Sequence, residues 1–544
     1  MSQAPWWRGA VIYQIYPRSF LDTNGDGVGD LPGILGKLDY VASLGVDAIW
    51  VSPFFRSPMA DFGYDIADYR DVDPLFGSLA DFDALVARAH ELGLKVVIDQ
   101  VLSHTSEQHA WFQESRQDRG NPRADWYVWA DARPDGSPPN NWLSIFGGVA
   151  WQWEPRRGQY YLHNFLPEQP DLNFHNPQVQ DAALDVLRFW LDRGVDGFRL
   201  DAINFCFHDR QLRDNPAKPP ERRTGRGFSP DNPYAFQYHW HNNTQPENVD
   251  FLARIRSLTD RYPGTMTLGE ISSEDSLATM AEYCAPGRLH MGYSFELLTE
   301  DFSVAHIRDT VRALERQVGD GWPCWAVSNH DVARAVSRWG GDAAGPAFAT
   351  LLTALVCSLR GSVCIYQGEE LGLTEAQVPF EQLRDPYGIA FWPTFKGRDG
   401  CRTPMPWSDD AHGGFSTVAP WLPVPPSHLR LSVAAQEADP GSALHAFRRF
   451  MAWRRTQPAL RWGSVRFIDT AEPVLAFVRE LDGEALLAAF NLDAAPVALE
   501  LPGLEAAQVL PGHGAREGRI ERGRLLLPAH GVVYARMADS GAGG

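Results

Sequence analysis

The chain has 544 residues, with 49 Lys and Arg against 68 Asp and Glu, a formal net charge of −19. That length predicts roughly two or three domains, and an acidic chain without a basic block argues against nucleic acid or an anionic membrane as partner. No stretch approaches the roughly 18 apolar residues of a membrane span, the start MSQAPWWRGAVIYQIYP lacks the order of a secretory leader, and the six cysteines are dispersed without a CxxC. A cytoplasmic protein with reduced, buried thiols is expected.

Val11 to Pro17 reads as a short buried strand. A Gly- and Asp-rich loop follows at 22–30, then a helix with Leu35, Leu38 and Val41 on one face, closing at Gly45. Ala48 to Pro53 is the second strand. Ser78 with Asp81 three residues on predicts a helix cap. The helix carries Phe82, Leu85, Val86, Ala89 and Leu92 and stops at Gly93, and Lys95 to Asp99 starts the third strand. SLGVDAIWV, ELGLKVVID and DRGVDGFRL repeat one junction, in which a helix ends on Gly and a buried strand begins within two residues. Gly suits the left-handed residue that ends a helix, and three such joints predict α/β units with parallel strands.

From about 104 to 175 the rhythm gives way to a stretch rich in Trp, Pro, Gly and Asn, with strand-like pieces such as QYYLHNF at 159–165. Asn176-Pro177 restarts it as cap and first helical residue, and Val186, Leu187, Trp190 and Leu191 give that helix its apolar face. Gly194 to Asn204, GVDGFRLDAIN, is the fourth strand. A second excursion, Lys218 to Asn248, holds Tyr234, Phe236, Tyr238 and Trp240. Strands five to eight are expected at 265–271, 289–295, 324–328 and 362–366, an irregular segment at 372–440 and a helix at 442–456. After 460 the text changes to alternating short strands with Gly turns. The predicted fold is α/β: a (β/α)8 TIM barrel over 1–104 and 175–459, an inserted domain at 105–174 after strand three, and a C-terminal antiparallel β-sandwich at 460–544.

Catalytic groups of such a barrel sit at the C-terminal ends of its strands. Those ends carry Asp65, Asp99 with His104, Arg199 with Asp201, Glu270, and His330 with Asp331. Arg199 and Asp201 share one strand face, and a guanidinium beside a carboxylate favours the ionised acid that a nucleophile needs. The chain has no HExxH, Walker A or GxGxxG and no Ser or Cys nucleophile motif. Glycoside hydrolysis uses one ionised and one protonated carboxyl. Asp201 suits the first role. Glu270 follows apolar TMTLG with no adjacent cation, which suits the second. Their places on strands four and five allow the roughly 5 Å spacing of a retaining enzyme.

The loop DTNGDGVGD at 22–30 sets Asp22, Asn24 and Asp26 at alternate positions, turns at Gly27, and adds the Val28 carbonyl and Asp30. It is similar to the first part of a calcium loop without the closing Glu. One structural divalent cation, Ca2+ or Mg2+, is expected there, with no organic cofactor.

DQVLSHTS at 99–106, GFRLDAIN at 197–204, TLGEI at 267–271 and VSNHD at 327–331 resemble, in order and spacing, the four conserved regions of glycoside hydrolase family 13, the α-amylase family. GVDAIWVSPFF at 45–55, QPDLNF at 169–174 and GSVCIYQGEELG at 361–372 resemble its accessory regions. QPDLN is similar to the oligo-1,6-glucosidase and α-glucosidase group, which removes single glucose units and carries the same acidic loop. The resemblance implies a retaining double displacement with Asp201 as nucleophile, Glu270 as acid/base and Asp331 as the acid that holds the glucose hydroxyls. It implies further that Asp65, His104, Arg199, His330 and Arg402 hold the terminal glucose and that Tyr64 stacks on it. Phe146 and Phe165 are candidate walls. Ala202, just after the nucleophile, implies α-1,4 rather than α-1,6 preference.

The expected activity is therefore an exo-acting α-glucosidase on maltose and other short α-glucosides, with transfer to alcohol acceptors, in a monomer or homodimer. An α-1,6-acting oligo-1,6-glucosidase, or an isomerase or transferase of the same family, is the alternative, although the RLDRD signature of isomaltulose synthases is absent. A non-catalytic relative, like the heavy subunits of amino-acid transporters, is disfavoured by the intact acids.

Overall fold

A computed structural model describes residues 4–223, 231–319, 321–341 and 344–538. The excursion expected at 218–248 thus lies partly outside the described residues. Eight parallel strands close into a barrel: β1 (Val11–Ile15), β2 (Ala48–Val51), β3 (Lys95–Val101), β4 (Gly197–Asp201), β5 (Met266–Glu270), β6 (Met291–Ser294), β7 (Pro323–Trp325) and β8 (Ser362–Tyr366). Each strand pairs with its neighbours in sequence, and β8 returns to β1. The strands are covered on both faces, so they read as nearly continuous apolar runs. Ile12, Ala48, Trp50, Val97, Met266, Leu268, Met291, Tyr293, Cys324 and Cys364 fill the barrel as one cluster.

The helix–strand joints follow the repeated Gly: φ is 80° at Gly45, 77° at Gly93 and 91° at Gly194, all in the left-handed region. Ser78 and Asp81 form a reciprocal cap on the helix Leu79–Glu91. The first helix differs in phase from expectation. Asp30 caps it from the Gly33 N–H, so it starts at Leu31 and buries Leu31, Ile34, Leu38 and Val41, leaving Leu35 half-buried. β7 is also shorter than expected. The chain leaves the barrel after Trp325, which frees Ser328 to Asp331 to form the loop above it.

Residues 105–174 hold a short helix, Ala110–Ser115, and a three-stranded antiparallel sheet with Gln159–Leu162 between Trp129–Ala130 and Trp151–Glu154. Val128, Trp142, Trp151 and Leu162 are its core. After the helix Ala443–Arg455 come a five-stranded and a three-stranded antiparallel sheet. Arg479 joins this part to the barrel: it is fully buried and donates to the carbonyls of Ser358, Leu460, Gly463 and Ser464 at 2.6–3.0 Å. All six cysteines are buried. No helix among the described residues is long and apolar enough to cross a membrane.

Candidate active site

Parallel register builds the centre. Asp99 on β3 and Leu268 on β5 both lie opposite Arg199 on β4, and the next inward positions are Asp201 and Glu270. β4 and β5 approach closely because Gly197 has no side chain; a Cβ there would lie 2.6 Å from the Met266 carbonyl oxygen. The Arg199 guanidinium, 1% exposed, bonds Asp99 at 2.9 Å and, through its two terminal nitrogens, Asp201 and Glu270. Trp50 lies against its face at 5.1 Å. The second Glu270 oxygen accepts the Ala202 N–H at 2.9 Å.

Burial raises the carboxyl pKa of all three acids, and Arg199 only partly reverses this. Glu270 is pushed up to about 8 and Asp99 to about 6, and Asp201 is also raised. The cation beside Asp201 thus limits the burial effect rather than overcoming it. Asp331 goes the other way. Burial works against its charge, but His330 and the guanidinium groups of Arg398, Arg402 and Arg199 hold it well below the usual range. The site thus pairs one acid poised to carry a proton with another fixed in the ionised form.

The acids open into a cavity of about 660 Å³. Asp201, Glu270 and Asp331 line it with Tyr64, His104, Phe146, Phe165 and Ala202, all named from the sequence. Arg199 lies beneath the acids. His330 is buried behind Tyr64, with the rings parallel at 5.4 Å. Phe165 packs on His104 at 4.9 Å, and Arg398 lies over the Phe146 ring at 5.2 Å. Ala202 is in the left-handed region, φ 40° and ψ 43°, where a β-branched residue is strained.

Of the five residues expected to hold the sugar, only His104 lines the cavity: Arg199 and His330 lie behind it, and Asp65 and Arg402 are held elsewhere. Asp65 does not face the cavity: it is fully buried, and its oxygens accept the N–H groups of Ala60 and Asp61 and the Ser57 hydroxyl, closing its own loop. Asp61 lines the cavity instead. Arg402 is likewise fully buried; it donates to the His330 carbonyl and, at 2.8 Å, to Asp331 from behind. Arg398 is the arginine that reaches the cavity. It bonds Asp61 at 2.9 Å, Asp385 at 2.8 Å and Asp331 at 3.3 Å. Asp61 and Asp65 stand four apart in one short motif, as do Arg398 and Arg402, and only the fold of each loop separates the member that lines the cavity from the one that does not. Gln169 and Tyr387 also line the cavity and were not singled out. Gln169 lies within QPDLN, and its amide reaches His104 at 3.2 Å and Asp61 at 3.3 Å.

In the 22–30 loop Asp22 accepts the N–H groups of Asn24, Gly25 and Gly27. Asn24 and Asp26 bond each other. Asp30 caps the helix at Gly33 and accepts from Thr23. The donor set is all oxygen, as a hard cation prefers. These oxygens are turned onto the loop itself, except that Asp22 also accepts the Ser416 hydroxyl at 2.6 Å, and no group of three or more His, Cys, Asp or Glu converges as a metal site among the described residues.

Comparison with known proteins bears on the same centre. The model of the alpha amylase catalytic domain matches residues 14–463. The chain is 56% identical over 537 residues to a probable alpha-glucosidase of Rhizobium meliloti (strain 1021), covering 98% of this chain and 97% of that one. It is 38% identical over 544 residues to an oligo-1,6-glucosidase of Heyndrickxia coagulans, covering 91% and 94%. Among solved structures, the alpha-glucosyl transfer enzyme XgtA superposes with a TM-score of 0.97 at 70% identity, over 98% of this chain and 100% of that one. The trehalulose synthase MutB of Pseudomonas mesoacidophila MX-45 gives 0.88 at 33%, with the same coverage.

Arg398→Met removes the cation from two buried carboxylates, Asp61 and Asp385. Breaking such a pair costs about 3 kcal/mol. Without the cation both acids bind protons more readily folded than unfolded, so the deficit shrinks as pH falls. Urea denaturation at pH 7 and pH 5 should show the larger loss at pH 7; equal losses would contradict this account.

Proposed function

The chain belongs to the α-amylase family of glycoside hydrolases, and we propose that it is a retaining exo-α-glucosidase that releases terminal α-1,4-linked glucose from maltose-like substrates and also transfers it to alcohols. One observation carries the proposal: a single buried guanidinium holds Asp201 and Glu270 side by side at the cavity. Carboxylates on one planar fork favour the spacing of a retaining pair, roughly 5 Å, over the wider gap that an inverting enzyme leaves for water.

Asp201 attacks the anomeric carbon while Glu270 gives its proton to the departing glycosidic oxygen. The glucosyl–Asp201 ester then breaks when Glu270 takes a proton from an incoming water or alcohol, which attacks the same carbon from the face the aglycone left. Asp331, Arg398 and Asp61 stand where hydroxyls of the terminal glucose need fixed acceptors and donors. Their network shuts the inner end of the pocket, which supports removal of one sugar at a time. Leu277, Phe295, Leu298 and Val332 also line the cavity and support an alcohol acceptor beside the polar Ser273, Glu274 and Asp275. The 70% identity to an alpha-glucosyl transfer enzyme supports transfer. Ala202 supports the α-1,4 preference, because the left-handed backbone there disfavours a branched side chain. A trehalulose synthase and an oligo-1,6-glucosidase are more distant, and their activities are the competing outcomes.

The products of maltose, isomaltose and sucrose, with and without an added alcohol, test the proposal by chromatography and proton NMR. Maltose should be cleaved at least about tenfold faster than isomaltose, with α-glucose first and α-glucoside when alcohol is present, and Asp201→Asn should be inactive throughout. Release of β-glucose, or a sucrose isomer as main product, overturns it.

The pH dependence follows from the two acids. kcat/KM should fall above about pH 8 as Glu270 loses the proton it must donate, and at low pH as Asp201 becomes protonated. On p-nitrophenyl α-glucoside, whose leaving group needs little acid help, Glu270→Gln should abolish the alkaline limb of kcat/KM and keep the acid limb. An alkaline limb unchanged in the variant contradicts the assignment.

We further propose that Asp22, Asn24, Asp26, Asp30 and the Val28 carbonyl hold one divalent cation, Ca2+ or Mg2+. Binding has to displace Thr23 from Asp30. EDTA should lower the Tm by several degrees, as loss of a ligand bound only to the folded state does, and added Ca2+ or Mg2+ should restore it. A Tm indifferent to both speaks against the site.

A further inference from the structure

Gln14 sits on β1, fully buried, facing into the barrel beneath the acids. Nothing in the reaction described above uses it. Its amide nitrogen lies 2.7 Å from His330 Nδ1 and 3.3 Å from Ser52 Oγ. On the other side of the ring, His330 Nε2 lies 2.5 Å from the Tyr64 hydroxyl and 3.3 Å from Asp331 Oδ2. Tyr64 in turn reaches Asp99 Oδ2 at 3.1 Å. These contacts form one line from β1 to the acid that holds the sugar.

We propose that Gln14 is a positioning residue, which gives the Nδ1 lone pair of His330 the donor it needs when the proton sits on Nε2, and thereby holds the ring where it orients Tyr64 and Asp331. A count of protons carries the argument. Burial keeps the imidazole neutral, with its pKa lowered to about 3, so it has a single N–H. Tyr64 has a single O–H but two close partners, Nε2 and the Asp99 carboxylate. Both contacts are hydrogen bonds only if Tyr64 donates to Asp99 and accepts from Nε2–H. The Nδ1 lone pair then needs a donor, and the Gln14 amide N–H supplies it. Turning the amide round puts the proton on Nδ1 and sets the bare Nε2 lone pair against the Asp331 carboxylate at 3.3 Å. Tyr64 must then abandon one of its two partners. The amide's own account does not decide the matter. Its oxygen is unpartnered as placed, and its N–H group would be unpartnered if turned, so the preference comes from the far side of the ring.

The kinetic part of the test rests on the α-glucosidase reading; the tautomer does not. With 15N-labelled histidine, the His330 ring is identified as the signal pair lost in His330→Gln. In the unaltered protein its Nε2 should carry the proton and its Nδ1 should show the shift of a hydrogen-bonded lone pair. Gln14→Met removes the donor at similar volume, and Gln14→Glu replaces it with an acceptor that draws the proton to Nδ1. Gln14→Glu should move the tautomer, whereas Gln14→Met should keep the proton on Nε2 and return the Nδ1 shift to that of a lone pair without a donor. Both should also lower kcat/KM for p-nitrophenyl α-glucoside about 10- to 100-fold, the range seen when a partner that orients a histidine is lost, with Glu the more severe. An Nδ1–H ring in the unaltered protein overturns the proposal even if neither variant folds. So do variants that keep the parent's Nδ1 shift and a kcat/KM within twofold of the parent's. If the protein is not a glucosidase, activity is absent from the parent while the tautomer is unaffected, so the two failures are distinguishable.

Discussion

A guanidinium sealed in the barrel among three carboxylates sets the terms for the rest of the molecule. Arg199 carries one positive charge, and Asp99, Asp201 and Glu270 together can carry three negative ones. Burial of that imbalance is tolerable only if a proton stays on one of the acids. Burial raises all three, and Glu270 is raised to about 8. The arrangement contributes little to stability, because desolvation offsets much of what the pairing gains. What it fixes is geometry: two carboxyl groups on one planar fork cannot drift apart, and the proton has a preferred seat.

The architecture supplies this interaction through strand register. Parallel pairing of β3, β4 and β5 puts the four groups on adjacent inward positions, and Gly197 lets β4 and β5 close up. The charged cluster sits at the strand ends, above a barrel interior filled by apolar side chains.

A second cation organises the rim. Arg398 joins Asp61 from the loop after β2, Asp331 from the loop after β7 and Asp385 from the long segment after β8. Three excursions far apart in sequence are thereby tied into one wall. The inner half of the pocket depends on these fixed charges. The rest of the lining mixes apolar Leu277, Phe295, Leu298 and Val332 with hydroxyl and carboxyl side chains such as Ser273, Glu274 and Asp275.

Much of this was legible in the chain itself. The Gly-terminated joints announced a parallel α/β barrel because a helix must end in a left-handed residue before the chain turns into a strand. Asp201, Glu270 and Asp331 stood out because strand ends of a barrel meet at one face, so local position already implied proximity. The sequence failed where two like residues lie close together in a loop. Asp61 against Asp65, and Arg398 against Arg402, are chemically equivalent on paper. Their difference lies in capture: the N–H groups of its own loop hold Asp65, and the His330 carbonyl and Asp331 hold Arg402, which leaves Asp61 and Arg398 to the cavity. The balance of charge was also hidden. An arginine two residues from Asp201 reads as a force that ionises it, yet the folded barrel removes water from both, and burial outweighs the pair. Sequence determined which groups meet, because register and strand direction are local properties. The tertiary structure alone decided which of them face the substrate and which carry the proton, because burial and distance are properties of the whole packing.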